Sequence, residues 1–193
     1  MIEVYDKKEK CCGCGLCEYI CPKSAIKMKE DEVGFLYPVI DSTRCINCKA
    51  CKKICAYKED SLNTIKESYA AVNHKKDVLQ QAASGGMFGA LAEQFLNKGG
   101  CVCGSEMIFE QGHVNVRHVL IESQQDLKKL QGSKYVQSDT SKIFDSITSK
   151  LKEGREVLFS GTPCQVAAIK RLVGKKFADK IFTIDIICHG VPS

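Results

Sequence analysis

Nine of the 13 cysteines lie between Cys11 and Cys55, and eight of those nine write one pattern twice. Cys11, Cys14, Cys17 and Cys21 form a C-x2-C-x2-C-x3-C run, and Cys45, Cys48, Cys51 and Cys55 form another. Three thiolates this close wrap one corner of an iron–sulfur cubane, and the fourth at this spacing ligates the other cluster of a pair. The runs predict two 4Fe-4S clusters with exchanged ligands. One takes Cys11, Cys14, Cys17 and Cys55; the other takes Cys45, Cys48, Cys51 and Cys21. Zinc also favours paired C-x2-C units, but a four-thiolate zinc site leaves the third cysteine of each run without a purpose. Cys12 is out of register and reads as a bystander.

Such loops need backbone close to the cluster and a chain that turns away afterwards. Gly13 and Gly15 supply the first and Pro22 the second. The second run departs from this, with Asn47, Lys49 and Ala50 where small flexible residues are expected and Ala56 where a proline is expected. Between the runs, Ala25–Lys29 and Phe35–Ile40 read as a hairpin around the polar turn Glu30–Gly34. The polar stretch after Cys55 marks a boundary. It separates a two-cluster ferredoxin-type domain, residues 1–58, from a second domain, residues 67–193.

A chain of 193 residues with 44% apolar and 26% charged residues is ordinary globular material with room for two cores. The second domain alternates strand and helix patterns, so the whole reads as α+β: a small ferredoxin-like module followed by an α/β domain. Strands are expected at Ser68–Asn73, Cys101–Phe109, Val114–Ile121, Glu156–Ser160 and Lys180–Ile187. Phe88, Leu91, Ala92 and Phe95 form a helical stripe that stops at Gly99-Gly100, and Ile143, Phe144, Ile147 and Leu151 form another. A helix opens at Ser123, with Asp126 as its capping-box partner, and another at Pro163.

Two turns in this domain have chemical potential. Ser84-Gly85-Gly86 and Ser160-Gly161-Thr162-Pro163 each open a helix, where free amides and the helix dipole suit a phosphate; such turns are more often plain turn chemistry. Cys164 at a helix start and Cys188 at a strand end lie where open α/β sheets place their sites. As small buried hydrophobes they need no such role. Cys101 and Cys103 alternate on one strand face and read as structural. His74, His113 and His118 have no partner that spacing identifies.

Ser84-Gly85-Gly86, Gly132-Ser133-Lys134-Tyr135, Gly161-Thr162-Pro163-Cys164-Gln165 and Cys188-His189-Gly190-Val191-Pro192-Ser193, in this order behind a two-cluster module, resemble the coenzyme F420 hydrogenase/dehydrogenase beta-subunit family. The resemblance covers essentially the whole chain. It implies an FAD-containing domain that passes electrons between a two-electron carrier and iron–sulfur clusters. Ser84, Gly85, Gly86, Gly132, Ser133, Lys134, Tyr135, Gly161 and Thr162 are the flavin-binding candidates it points to. It also implies that Cys164 and Cys188 match two ligands of a further 4Fe-4S cluster, whose other pair follows later in the family. No such pair follows here, so the sequence reads as the N-terminal part of a longer protein, and a third cluster needs ligands from beyond it.

The resulting expectation is an iron–sulfur, FAD-linked oxidoreductase working between a small-molecule donor or acceptor and a redox partner protein or subunit. The rivals are a flavin-free ferredoxin-like carrier and a thiol enzyme built on Cys164. The N-terminal residues carry no secretory signal and no apolar run spans a bilayer, so the expected location is cytoplasmic. The +5 formal charge comes from scattered residues with one modest concentration at Lys170, Arg171, Lys175, Lys176 and Lys180. That is no nucleic-acid signature.

Overall fold

The computed structural model describes residues 3–58, 64–110 and 112–192. Each cysteine run holds a short helix before its fourth cysteine, α1 (Leu16–Tyr19) in the first and α2 (Ala50–Ile54) in the second. Between them β1 (Ile26–Glu30) and β2 (Leu36–Ile40) pair antiparallel, with Ile26 opposite Ile40. Gly13 and Gly15 have φ of 63° and 73°, and the equivalent Asn47 and Lys49 have 56° and 61°. The second loop therefore takes the shape of the first without its glycines. Val4, Cys17 and Ile26 form the module's own small core.

The second part comprises α3 (Lys76–Gln80), α4 (Met87–Asn97), β3 (Cys101–Glu110), β4 (His113–Ile121), α5 (Leu127–Leu130), α6 (Ile143–Lys152), β5 (Val157–Gly161), α7 (Pro163–Val173) and β6 (Ile181–Asp185). Its sheet has the order β4-β3-β5-β6, antiparallel between β4 and β3 and parallel from β3 through β6. With the β1–β2 hairpin, this makes an α+β chain. β5 is buried along its whole length, as expected of a parallel strand covered on both faces. Alternation then sorts the core. Cys101, Cys103, Val157 and Phe159 pack with α6 and α7, while Val102 and Leu158 pack with α4 and α5. Both Cys101 and Cys103 are fully buried.

The two parts share core residues. Leu16 of α1 is buried in the cluster that holds Phe144, Ile147 and Ile169, and Cys14, Tyr19, Ile54 and Ala56 pack against that cluster. The Tyr19 ring lies 5.2 Å from that of Phe144, and its hydroxyl donates to Asp145 Oδ1 at 2.9 Å.

Two expected elements differ. Ser68–Asn73 forms no strand: residues 68–72 are exposed, and Asn73 N–H donates to Gly85 O at 2.8 Å rather than to a ladder. The helix expected from Ser123 is a single 3-10 turn leading into four-residue α5. Ser123 Oγ accepts from Gln125 N–H, but Asp126 pairs with Lys129 at 2.7 Å instead of reaching back to close a capping box. Among the described residues, no helix is long and apolar enough to cross a membrane.

Candidate functional site

The cysteines gather as two sets. Cys21, Cys45, Cys48 and Cys51 line one narrow cavity together with Pro22, Ile26, Ile40 and Ile46. Cys17 senses the charge of Cys11, Cys51 and Cys55, and Cys11 that of Cys55. A backbone N–H aims at sulfur where Ala25 donates to Cys21 Sγ at 3.2 Å, and the amides of Gly13, Glu18 and Lys52 favour the thiolates of Cys11, Cys17 and Cys51. Amides directed at thiolates, in loops opened by left-handed residues, are what cluster ligation requires, and the donor set fits. Without metal, burial pushes up the thiols of Cys11, Cys17 and Cys51, Cys17 to about 12, so cluster binding releases protons here.

Beside this module lies a cavity of about 1150 Å³. Its size is at or above the upper end of the usual small-molecule range of about 300–1,000 Å³. All nine residues singled out as flavin candidates line it: Ser84, Gly85, Gly86, Gly132, Ser133, Lys134, Tyr135, Gly161 and Thr162. Cys164 and Cys188 line it too, as do Cys11, Cys12 and Cys14 from the first cysteine loop. That loop is fixed to the second domain by Gln137 Nε2 donating to Cys12 O and Thr140 Oγ1 to Cys14 O, both at 2.9 Å. One wall of the cavity is therefore cluster-binding loop and the rest is α/β domain.

The two helix-opening turns are not equivalent. At α7, Thr162 and Gln165 form a full capping box, with Gln165 Oε1 accepting from Thr162 N–H at 3.0 Å, and Pro163 has no N–H. Most donors of that turn are consumed internally. At α4 the N-cap is Gly86, with φ of 75° and no side-chain cap, so its first-turn amides are free of side-chain partners. Gly85 also has a packing reason to be glycine, because a Cβ there would sit 2.4 Å from Ala71 O. Lys134 Nζ donates to Gln131 O at 2.7 Å and to Lys129 O, tying its loop to the end of α5; burial lowers its pKa. Tyr135 is exposed at the rim.

Below Gly161 lies a network that spacing did not reveal. His118 Nε2 donates to Ser160 O at 3.0 Å, Nδ1 accepts from Ser138 Oγ at 2.9 Å, and Ser138 Oγ accepts from Gln165 Nε2 at 2.9 Å. The His118 ring stacks on Phe159 at 5.1 Å. Burial lowers its pKa to about 4, so the ring is neutral and serves as a brace for the β5–α7 turn. The readable signal was the Thr-Pro-Cys-Gln string, a capping box in sequence; His118 and Ser138 had none. Cys12 is also more engaged than its register suggested. Cys14 and then burial push its thiol up to about 12, against a lowering by Cys164. Cys164 is raised further, first by Cys12 and then by burial, while Thr162 Oγ1 lies 3.1 Å from its sulfur. In the metal-free chain Cys12 and burial oppose the thiolate that the helix start favours.

Comparison with known proteins follows the same division. Residues 10–58 match the 4Fe-4S dicluster domain family. Residues 68–145 match the coenzyme F420 hydrogenase/dehydrogenase beta subunit N-terminal family, and residues 154–193 the corresponding C-terminal family. The chain is similar to one subunit of the F(420)H(2) dehydrogenase of Methanosarcina mazei, 25% identical over 199 residues covering 92% of this chain and 53% of that protein. It thus spans about half the length of that relative. An uncharacterized ferredoxin of Methanocaldococcus jannaschii is 33% identical over 75 residues, covering 39% of this chain and 96% of the ferredoxin. A chain of the F420-reducing NiFe hydrogenase complex from Methanosarcina barkeri aligns with a TM-score of 0.49 and 21% identity, over 61% of this chain and 42% of that one. With the two beta-subunit families matching more than half of its residues behind a dicluster match, the chain belongs to the coenzyme F420 hydrogenase/dehydrogenase beta-subunit family and carries an N-terminal 4Fe-4S dicluster domain.

Proposed function

We propose that this chain is an iron–sulfur oxidoreductase that holds FAD in the large cavity and two 4Fe-4S clusters in residues 1–58, and moves electrons between a small-molecule donor or acceptor and a partner protein or subunit. The observation that carries this reading is the shared lining of one cavity by all nine candidate residues of the 67–193 domain and by Cys11 and Cys14 of the first cluster loop. A flavin supplies the conversion between two-electron and one-electron transfer, and the clusters supply one-electron carriers.

The chain's own residues bind and orient. The uncapped start of α4 at Gly86 presents amides and a positive helix end to an anionic group, a better phosphate seat than the self-capped start of α7. Gly132 is open, with nothing within 4 Å of a Cβ position, so backbone can approach a bound ring there. The His118–Ser138–Gln165 brace keeps the Gly161-Thr162 edge in place. Gln137 and Thr140 hold the first cluster loop against the cavity. Cys164 and Cys188 belong to a further cluster only with ligands from outside this sequence.

Iron, acid-labile sulfide and flavin, measured on anaerobically purified protein with its visible spectrum, test the reading. About eight irons per chain and one flavin are expected. Eight irons without flavin reduce the chain to a two-cluster carrier, and zinc in place of iron overturns both.

A further inference from the structure

The geometry points to the face around Cys21, Cys45, Cys48 and Cys51 as a docking site for a small acidic electron-carrier protein. This rests on the two-cluster reading and adds where electrons pass to or from the partner and what kind of partner fits.

The two cysteine sets lie in series. Cys11 and Cys14 line the large cavity, whereas none of Cys21, Cys45, Cys48 and Cys51 reaches it. The second set is the outer one and lies at the surface. Cys48 is exposed, and Ile46, which lines the same narrow cavity, is 57% exposed. An apolar side chain left in water beside a one-electron centre has the anatomy of a contact centre, and such centres are ringed by polar or charged residues.

The ring here is mainly positive, with Asp41 beside Arg44 as its nearby carboxylate. Lys23 and Lys49 line the same cavity and are exposed, and Lys52 and Lys53 follow on α2, with Lys53 exposed. From Ser42 to Lys53 the sequence contains Arg44, Lys49, Lys52 and Lys53 and no carboxylate. The two module lysines nearest carboxylates are paired, Lys27 with Glu18 at 2.9 Å and Lys8 with Asp31 at 2.7 Å. Among the described residues, no ion pair involves Lys23, Lys49, Lys52 or Lys53. A bound cluster with its thiolates and Asp41 offset part of this charge, against Arg44 and four lysines. A positive rim around an exposed redox centre steers and orients an acidic carrier, raising its association rate. The apolar centre favours a protein over a nucleic acid, for which the lysines alone would suffice.

The test uses the full, cluster-loaded chain with flavodoxin as the acidic probe, cytochrome c as a basic control and a short DNA duplex as a generic polyanion. Binding is measured calorimetrically at low and high ionic strength for the parent and for Lys23→Glu/Lys53→Glu, with iron, sulfide and flavin assayed on each. Flavodoxin affinity is expected to fall about tenfold or more in the double variant and to weaken with salt. Cytochrome c should show no such loss. Equal flavodoxin binding by parent and variant, salt-independent binding, or binding of DNA but not flavodoxin overturns the docking face. If the charge reversal loses iron, Lys23→Ala/Lys53→Ala takes its place under the same criteria. A flavin-free chain that still binds flavodoxin through these lysines would sink the oxidoreductase reading and leave the docking face standing. A flavin-loaded chain with unaffected binding would do the reverse.

Discussion

A left-handed backbone costs an L-residue about 1–2 kcal/mol, and the second cysteine loop carries two such residues, Asn47 and Lys49, at the positions Gly13 and Gly15 occupy in the first. Lys49→Gly removes that strain against a glycine entropy cost of about 0.5–1 kcal/mol, so a net gain of about 0.5–1 kcal/mol is expected in denaturant unfolding. Asn47→Gly should gain less, since asparagine tolerates this region. Gly13→Ala is the converse. It combines φ of 63° with a Cβ 2.9 Å from Leu36 O and Gln137 Nε2, and it should destabilise the cluster-loaded protein and lower its iron content. His118 sets a pH dependence whose sign is fixed. Its folded pKa, about 4, lies below the ordinary 6.5, so only the unfolded chain takes up its proton between those values. Stability is complete above about pH 6.5 and falls as pH drops toward 4, by on the order of 3 kcal/mol in total. In His118→Asn the pH slope attributable to this group should vanish, and an unchanged slope in paired unfolding curves would contradict the assignment.

At the scale of elements, the β5–α7 junction is held by a box that can be taken apart one bond at a time. Thr162→Ala removes one cap bond and should cost about 1 kcal/mol. Gln165→Ala removes the returning half and also the donor to Ser138 O and Oγ, both buried, and should cost more, about 2–3 kcal/mol. If Gln165→Ala cost no more than Thr162→Ala in equilibrium unfolding, the brace beneath the cavity would carry no load. The same scale explains where sequence patterns failed. Ser68–Asn73 has strand-like residues but joins no sheet edge, and its Asn73 N–H is held by Gly85 O instead. Ser123 caps a turn, yet Asp126 finds Lys129 closer than the N-cap amide.

On the scale of the whole molecule, the two domains are joined by apolar packing. Leu16, from the cluster-binding module, is 1% exposed in the same core as Phe144, which is fully buried. Leu16→Ala should cost about 2–5 kcal/mol, the usual range for such a cavity. The shared core also predicts one cooperative transition: loss of cluster absorbance and loss of far-UV helix signal should coincide along a denaturant series. Two separated transitions would show that the modules fold independently.

By itself the sequence determined what depends on local spacing: the two cysteine runs, the hairpin between them, the stripes of α4 and α6, the buried strands and the family motifs. Thiolate spacing is a chain-local property, and so is hydrophobic period. Tertiary structure alone decided which of those pieces meet. It placed the four motif segments of the second domain around one cavity and set the first cysteine loop, Cys12 included, into its wall. It gave His118 its partners from β5 and from the segment before α6, and it left the second cysteine set outermost among exposed lysines. Contacts between residues tens of positions apart are fixed by how the sheet and the shared core pack, and no local pattern records that.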